Sequence, residues 1–352
     1  MKTDKEKKVL IPAEATVEET SAECVEKRKF TGADVWQFAK SQKNSLIRYG
    51  AFVLVLIVFA ITTGGKLFST YNMKSIISQV TPLLIMSVGL IFVFAHGGMD
   101  ISVGAVVGLC SLLSVYVLND TGSLFLVLLT CIAVSVACYI INGGSSIFFK
   151  IMSTISSLAI MFAARGIVTY NVSRTEDTIR FSDSSLVKLF SDNYGFMIAS
   201  CVIIVLICKV LFDYTKLGKQ AKATGDNPLG AAQSGANVNL IKMLCYVVAG
   251  VCVGIASVFA IARVGSVSEN MGSGREMDVL IALILGGMTL SGGTRSKLSA
   301  AVIGSITYVL LSNGLSISGV PTNYISLVKG ILFLLIVVLT LRQSRNIREL
   351  PR

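Results

Sequence analysis

From Leu46 to Leu341 the chain is a succession of apolar runs, and nearly all of the intervening charge sits in short polar stretches between them. Ten runs can be marked, at Leu46–Thr63, Ile76–Ala95, Val103–Leu118, Leu124–Ile141, Ser153–Asn171, Tyr194–Phe212, Ile241–Ala262, Val279–Leu290, Leu298–Ile317 and Asn323–Leu341. A helix of about 20 apolar residues spans the hydrocarbon of a bilayer, where every backbone polar group must be bonded within the protein. Charged residues make up 14% of the sequence, against about a quarter in soluble domains. One aqueous core cannot hide this much apolar surface. The pattern predicts an all-α polytopic membrane protein with about ten transmembrane helices, some of them short or interrupted by glycine.

The net charge of +11 does not indicate nucleic-acid binding, because the basic residues lie in the N-terminal tail and between apolar runs. No basic stripe interleaved with aromatics, of the kind that holds single strands, is present. Lysine and arginine instead report orientation. Ten crossings with an inner N-terminus put Lys150, Lys209, Lys216, Lys219, Lys222, Lys242, Arg295 and Lys297 on the inner side. Lys66, Lys74, Arg174, Arg180, Lys188, Arg263 and Arg275 then fall on the outer side. The bias makes both termini cytoplasmic in a plasma-membrane protein. The expected organisation is a largely disordered cytoplasmic tail (1–45), a permease domain (46–342) holding a cytoplasmic loop (213–242), and a short cytoplasmic C-terminal tail (343–352). Within the first tail, Ala33–Arg48 reads either as a helix lying on the membrane, anchored by Trp36 and Phe38, or as structureless chain.

Seven of the eight cysteines lie inside apolar runs. The pairs Cys131/Cys138, Cys201/Cys208 and Cys245/Cys252 are two helical turns apart, too far to close a disulfide on one helix. With His96 as the sole histidine, they read as small packing residues and not as metal ligands. His96 itself reads as a hydrogen-bonding residue at a helix end. A lone histidine with no neighbouring nucleophile motif also speaks against an intramembrane enzyme.

The chain echoes itself. Gly97-Gly98-Met99-Asp100-Ile101-Ser102-Val103-Gly104 lines up with Gly286-Gly287-Met288-Thr289-Leu290-Ser291-Gly292-Gly293, each between two apolar runs. Paired glycine-interrupted segments point to a solute path or gate, and small residues also serve close helix packing. Gly97, Gly98, Asp100, Ser102, Gly286, Gly287, Gly292 and Gly293 are the candidate path or gating residues. Asp100 admits two compatible roles: capping the helix that starts near Ile101, or acting directly in gating. In the loop, Asn227 is placed to cap a short helix, Pro228 to occupy its first position and Gly235 to end it. Such a helix suits docking onto a motor, and an ordinary connecting loop is the plainer reading.

Three stretches carry a resemblance: Gly97–Gly108 (GGMDISVGAVVG), Ala223–Gly235 (ATGDNPLGAAQSG) and Asp278–Gly293 (DVLIALILGGMTLSGG). In this order they resemble the signatures of the ribose/simple-sugar permease family of ABC importers, and the likeness runs from about Tyr49 to Leu341. The sequence departs from that pattern at His96, where small or apolar residues are common, and at Thr294-Arg295-Ser296-Lys297 after Gly293. The resemblance implies the membrane subunit of an ATP-binding-cassette importer moving a sugar or sugar-like solute inward. It further implies a second permease copy or homologue, a separate ATPase subunit and an extracytoplasmic solute-binding protein. Asn227, Pro228, Gly230, Ala231, Ala232 and Gly235 would belong to the helix that couples to the ATPase. The sequence holds no G-x-x-x-x-G-K-[ST], so no cofactor is expected on this chain, with ATP and magnesium on the ATPase. The competing reading is an ion-coupled secondary transporter using Asp100, or Glu276 with Asp278, as its ion site.

Overall fold

A computed structural model describes residues 43–175, 179–181, 185–289, 292–321, 323–331 and 334. The tail up to residue 42, most of the Ala33–Arg48 segment, Cys24 and the C-terminal tail 343–352 lie outside the described residues. The helices are α1 (Lys43–Thr62), α2 (Thr70–Ala95), α3 (Val103–Thr121), α4 (Leu124–Phe148), α5 (Ser153–Ser173), α6 (Ser185–Phe190) and α7 (Tyr194–Lys209). They continue with α8 (Lys216–Asp226), α9 (Pro228–Gln233), α10 (Val238–Val264), α11 (Arg275–Leu285), α12 (Leu298–Ile317) and α13 (323–331). The described strands, β1 (Ile179–Arg180) and β2 (Ser266–Val267), form one antiparallel pair that ties the chain after α5 to the end of α10.

Seven of the described helices are long and apolar enough to cross a bilayer: α2, α3, α4, α5, α7 with its continuation to Tyr214, α10 and α12. The chain is therefore an all-α, multi-pass membrane protein. Polar side chains start several of these helices where the first amides lack partners. Ser123 Oγ accepts from the Leu126 amide at 3.5 Å, Asn193 Oδ1 from Phe196 at 3.1 Å and Asn237 Oδ1 from Leu240 at 3.1 Å. Pro82 stands buried inside α2, where it removes one backbone donor.

α10 is the centre of the bundle, packed on α4, α2 and α3. Small residues make that contact close. Gly250 and Gly254 face the backbone of Val136, Ile132 and Cys131 on α4, and Gly89 of α2 faces Cys252. Lipid offers helices no hydrophobic reason to associate, so van der Waals fit between such faces carries the packing. The cysteines share this role across helices: Cys208 Sγ of α7 lies 3.8 Å from Cys252 Sγ of α10.

Two expectations change. Val279–Leu290, read as a span, is the 11-residue α11, beginning at Arg275 and ending at Leu285. At 1.5 Å per residue it is about 16 Å long, roughly half the hydrocarbon thickness. The 213–242 loop is mostly helical: a π turn (Val210–Tyr214), α8 and α9 occupy it, and α10 already starts at Val238. For the first and last of the ten runs, the apolar helix covers Phe52–Thr62 and the described helix 323–331 respectively.

Candidate functional site

The two halves of the sequence echo end their helices in the same way. After α2, the Gly97 amide bonds to Phe94 O at 3.0 Å and the Gly98 amide to Val93 O at 3.1 Å. After α11, the Gly287 amide bonds to Ile284 O at 2.8 Å and the Met288 amide to Leu283 O at 3.0 Å. This is the Schellman pattern, which needs a left-handed residue at its pivot. Gly97 has φ 83° and Gly287 φ 84°, a conformation costly for any residue with a Cβ.

The turns are brought together, and the loop helices are brought to them. The Gly293 amide bonds to Ala95 O at 2.9 Å, and Gly292 lies against the carbonyls of Phe94 and Ala95 and the Gly97 amide. Gly225, at the end of α8, fits against both Ala95 O and the Gly293 amide, where any side chain would collide. One residue on, Asp226 Oδ2 accepts from the Thr294 amide at 3.0 Å. Backbone from α2, α8 and the α11–α12 connection thus meets at one junction. Gly286 is held separately, against the carbonyl of Ala300 on α12.

α9 follows that junction directly. Asn227 Oδ1 accepts from the amides of Leu229 and Gly230, both at 3.1 Å, and Pro228 takes the first helical position. At its other end Gly235, with φ 82°, donates to Ala232 O at 3.0 Å, and Ala236 donates to Ala231 O at 3.1 Å. Ala231 faces inward, while Ala232 is exposed and Leu229 leaves 77% of its surface open.

Asp100 is 1% exposed. Its Oδ1 accepts from the Ser102 amide (2.9 Å), Ser102 Oγ (2.7 Å) and Asn142 Nδ2 (3.3 Å), and its Oδ2 from Tyr139 Oη (2.5 Å). The carboxylate closes the chain into the start of α3 and clamps that start to α4. His96 departs from expectation: neither ring nitrogen has a hydrogen-bond partner among the described residues, and the ring leans on Tyr246 at 5.5 Å between centroids.

The carboxylates of α11 are paired with bases. Glu276 Oε1 lies 3.0 Å from Arg165 Nη2, and its other oxygen lies against Gly104 of α3. Asp278 accepts from Tyr308 Oη and sits 3.4 Å from Lys329 Nζ and 4.0 Å from Arg275 Nη1. The second Glu276 oxygen has no hydrogen-bond partner among the described residues.

Residues 72–337 match the model of the family described as branched-chain amino acid transport system permease components. The chain belongs to this permease family. The permease is 27% identical to the ribose import permease protein of Escherichia coli K12 over 291 residues, covering 81% of this chain and 90% of that protein. It is 29% identical to the galactofuranose transporter permease protein of the same strain over 311 residues, covering 82% and 87%. The ribose import permease protein of Bacillus subtilis 168 is 29% identical over 308 residues, covering 84% and 92%. No solved structure matches the permease.

Sequence reasoning did not single out Ala95, Gly225 and Thr294, whose backbone makes the junction with the Asp226 carboxylate, or Tyr139 and Asn142, which hold Asp100. The GDNP stretch carried a signal for Asp226, as an acid immediately before a capped helix. Nothing marks Ala95 or Tyr139, because partnership across helices leaves no local pattern.

Proposed function

We propose that this permease is the membrane-spanning subunit of an ATP-binding-cassette importer that carries a sugar or sugar-like solute inward across the plasma membrane. A separate ATPase supplies hydrolysis, an extracytoplasmic binding protein delivers the solute, and a second permease copy or homologue completes the path. Both termini are cytoplasmic. The activities of its relatives, import of ribose and transport of galactofuranose, support the solute class.

The observation that carries the mechanism is the junction of Ala95, Gly225, Asp226, Gly293 and Thr294. The exposed face of α9, with Leu229, takes the push of the motor. α8 passes it through Gly225 and Asp226 to the two glycine turns, whose matching geometry supports an internal repeat. Gly97, Gly98, Gly286, Gly287, Gly292 and Gly293 then reorient the segments that line the solute path, while Asp100 and Ser102 hold α3 against α4. Coupling of this kind requires contacts that differ between two states.

Uptake into right-side-out vesicles that contain all subunits and enclose ATP tests the reading. Transport should follow ATP and survive collapse of the proton and sodium gradients. Leu229→Asp should leave the chain inserted but abolish ATPase co-purification. Gradient-driven uptake without the ATPase would overturn the proposal.

A further inference from the structure

A cleft of about 690 Å³ opens between α7, α8 and α12, three helices of which α7 and α12 barely touch. Its walls differ in chemistry. Val205 of α7 and Val302 and Ile303 of α12 make one apolar side. One turn before Val205 on α7, Val202 has about half its surface exposed. The other end is cationic, with Lys209 closing α7, Lys222 on α8 and Lys297 before α12. The carboxylate in the lining, Asp213, is bonded to Lys222 at 3.0 Å. Lys209 and Lys297 have no ion-pair partner among the described residues.

Two further features face the same space. α12 begins without a side-chain cap, and Lys297 and Leu298 at its start line the cleft, so the positive end of the helix dipole lies there. Ser296 lines the cleft with 1% exposure, and its hydroxyl has no hydrogen-bond partner among the described residues. Leaving a buried hydroxyl unpaired costs stability, so the position awaits an acceptor. An anionic, acceptor-rich group joined to an apolar body satisfies every wall. A small free anion would leave the valine and isoleucine side unused.

We propose that this cleft binds the headgroup of an anionic phospholipid, with Lys209, Lys297 and Ser296 on the phosphate and the acyl chains along Val205 and Val302. Basic pockets between membrane helices are suited to such headgroups. Thr294 also lines the cleft and donates to Asp226 of α8. The lipid therefore braces α7, α8 and α12 beside the junction. The site rests on the multi-pass membrane reading and not on the importer assignment.

Native mass spectrometry of the full-length chain in detergent, offered equal phosphatidylglycerol and phosphatidylcholine, tests it. The chain should retain phosphatidylglycerol selectively. Lys209→Gln with Lys297→Gln should weaken that retention about thirty-fold, the size expected for two lysines at a membrane surface. Ser296→Ala should weaken it several-fold. Lys216→Gln with Lys219→Gln, on exposed α8 positions outside the cleft, should leave it intact. If Ser296→Ala does not fold, the exposed lysine pair carries the test, with monodisperse elution as the check on folding. Equal retention of both lipids, or equal loss in the control pair, overturns the site. Displacement of the lipid by millimolar inorganic phosphate makes it a free-anion site and equally overturns the proposal. Release of the chain from membranes by alkaline carbonate would instead overturn the membrane reading, whatever the lipid result.

Discussion

A carboxylate withdrawn from solvent has to be held by donors, and Asp100 has four around its two oxygens. Replacing one such donor leaves a buried charge short of a partner, at a cost of about 2 kcal/mol. Tyr139→Phe should therefore lower the unfolding temperature of the purified permease. Asp100→Asn should lower it at least as far, because an amide would turn a donor toward Ser102 or Tyr139. An Asp100→Asn protein with unchanged melting but lost uptake would make this residue a solute ligand and not a brace. The sequence puts Asp100 as a cap on a helix starting near Ile101, but α3 starts at Val103 behind Ser102, so the carboxylate accepts from the Ser102 amide and hydroxyl and caps no amide of α3 itself. The sequence did not show Tyr139 and Asn142, 39 and 42 residues away, which reach Asp100 only through packing of α4 on α3. His96 misled for the opposite reason: its place at the helix end was correct, but its ring turned toward Tyr246.

α9 has six residues, far fewer than an isolated helix needs, so its ends decide whether it forms. The sequence announced both ends, through Asn227-Pro228 and Gly235, because caps are local chemistry. Removing the Asn227 cap, as in Asn227→Ala, should cost about 1 kcal/mol of helix stability and reduce ATPase co-purification without loss of membrane insertion. Gly230 lies in the first turn, where its amide serves Asn227 and not a preceding carbonyl. A proline there removes a cap bond and does not break a helix interior. The sharper perturbation is Gly225→Val, whose side chain would collide with Ala95 O and the Gly293 amide. We expect the ATPase still to bind this variant while ATP-driven uptake falls at least tenfold, the effect of about 1.4 kcal/mol on the coupled step. Normal uptake would show that force does not pass through this contact.

At the scale of the whole molecule, hydropathy marked ten spans where seven described helices are long and apolar enough to cross, and it gave nothing of their surroundings. α2 and α10 are only slightly less apolar than α4 and α7, yet the first two are mostly covered by protein and the last two mostly open. An all-apolar helix carries no stripe from which its neighbours can be read. The Lys/Arg asymmetry remains the handle on orientation. In a background lacking the eight cysteines, Ser268→Cys after α10 should react with an impermeant maleimide on intact cells, and Ser234→Cys after α9 should not. The reverse pattern would invert the molecule. α11 adds a constraint on biogenesis. Eleven residues cannot partition into lipid as a spanning helix, and α11 packs on α2, α3 and α12. α11 is therefore expected to enter the membrane only against protein, with α2 and α3 already in place and α12 completing its cover.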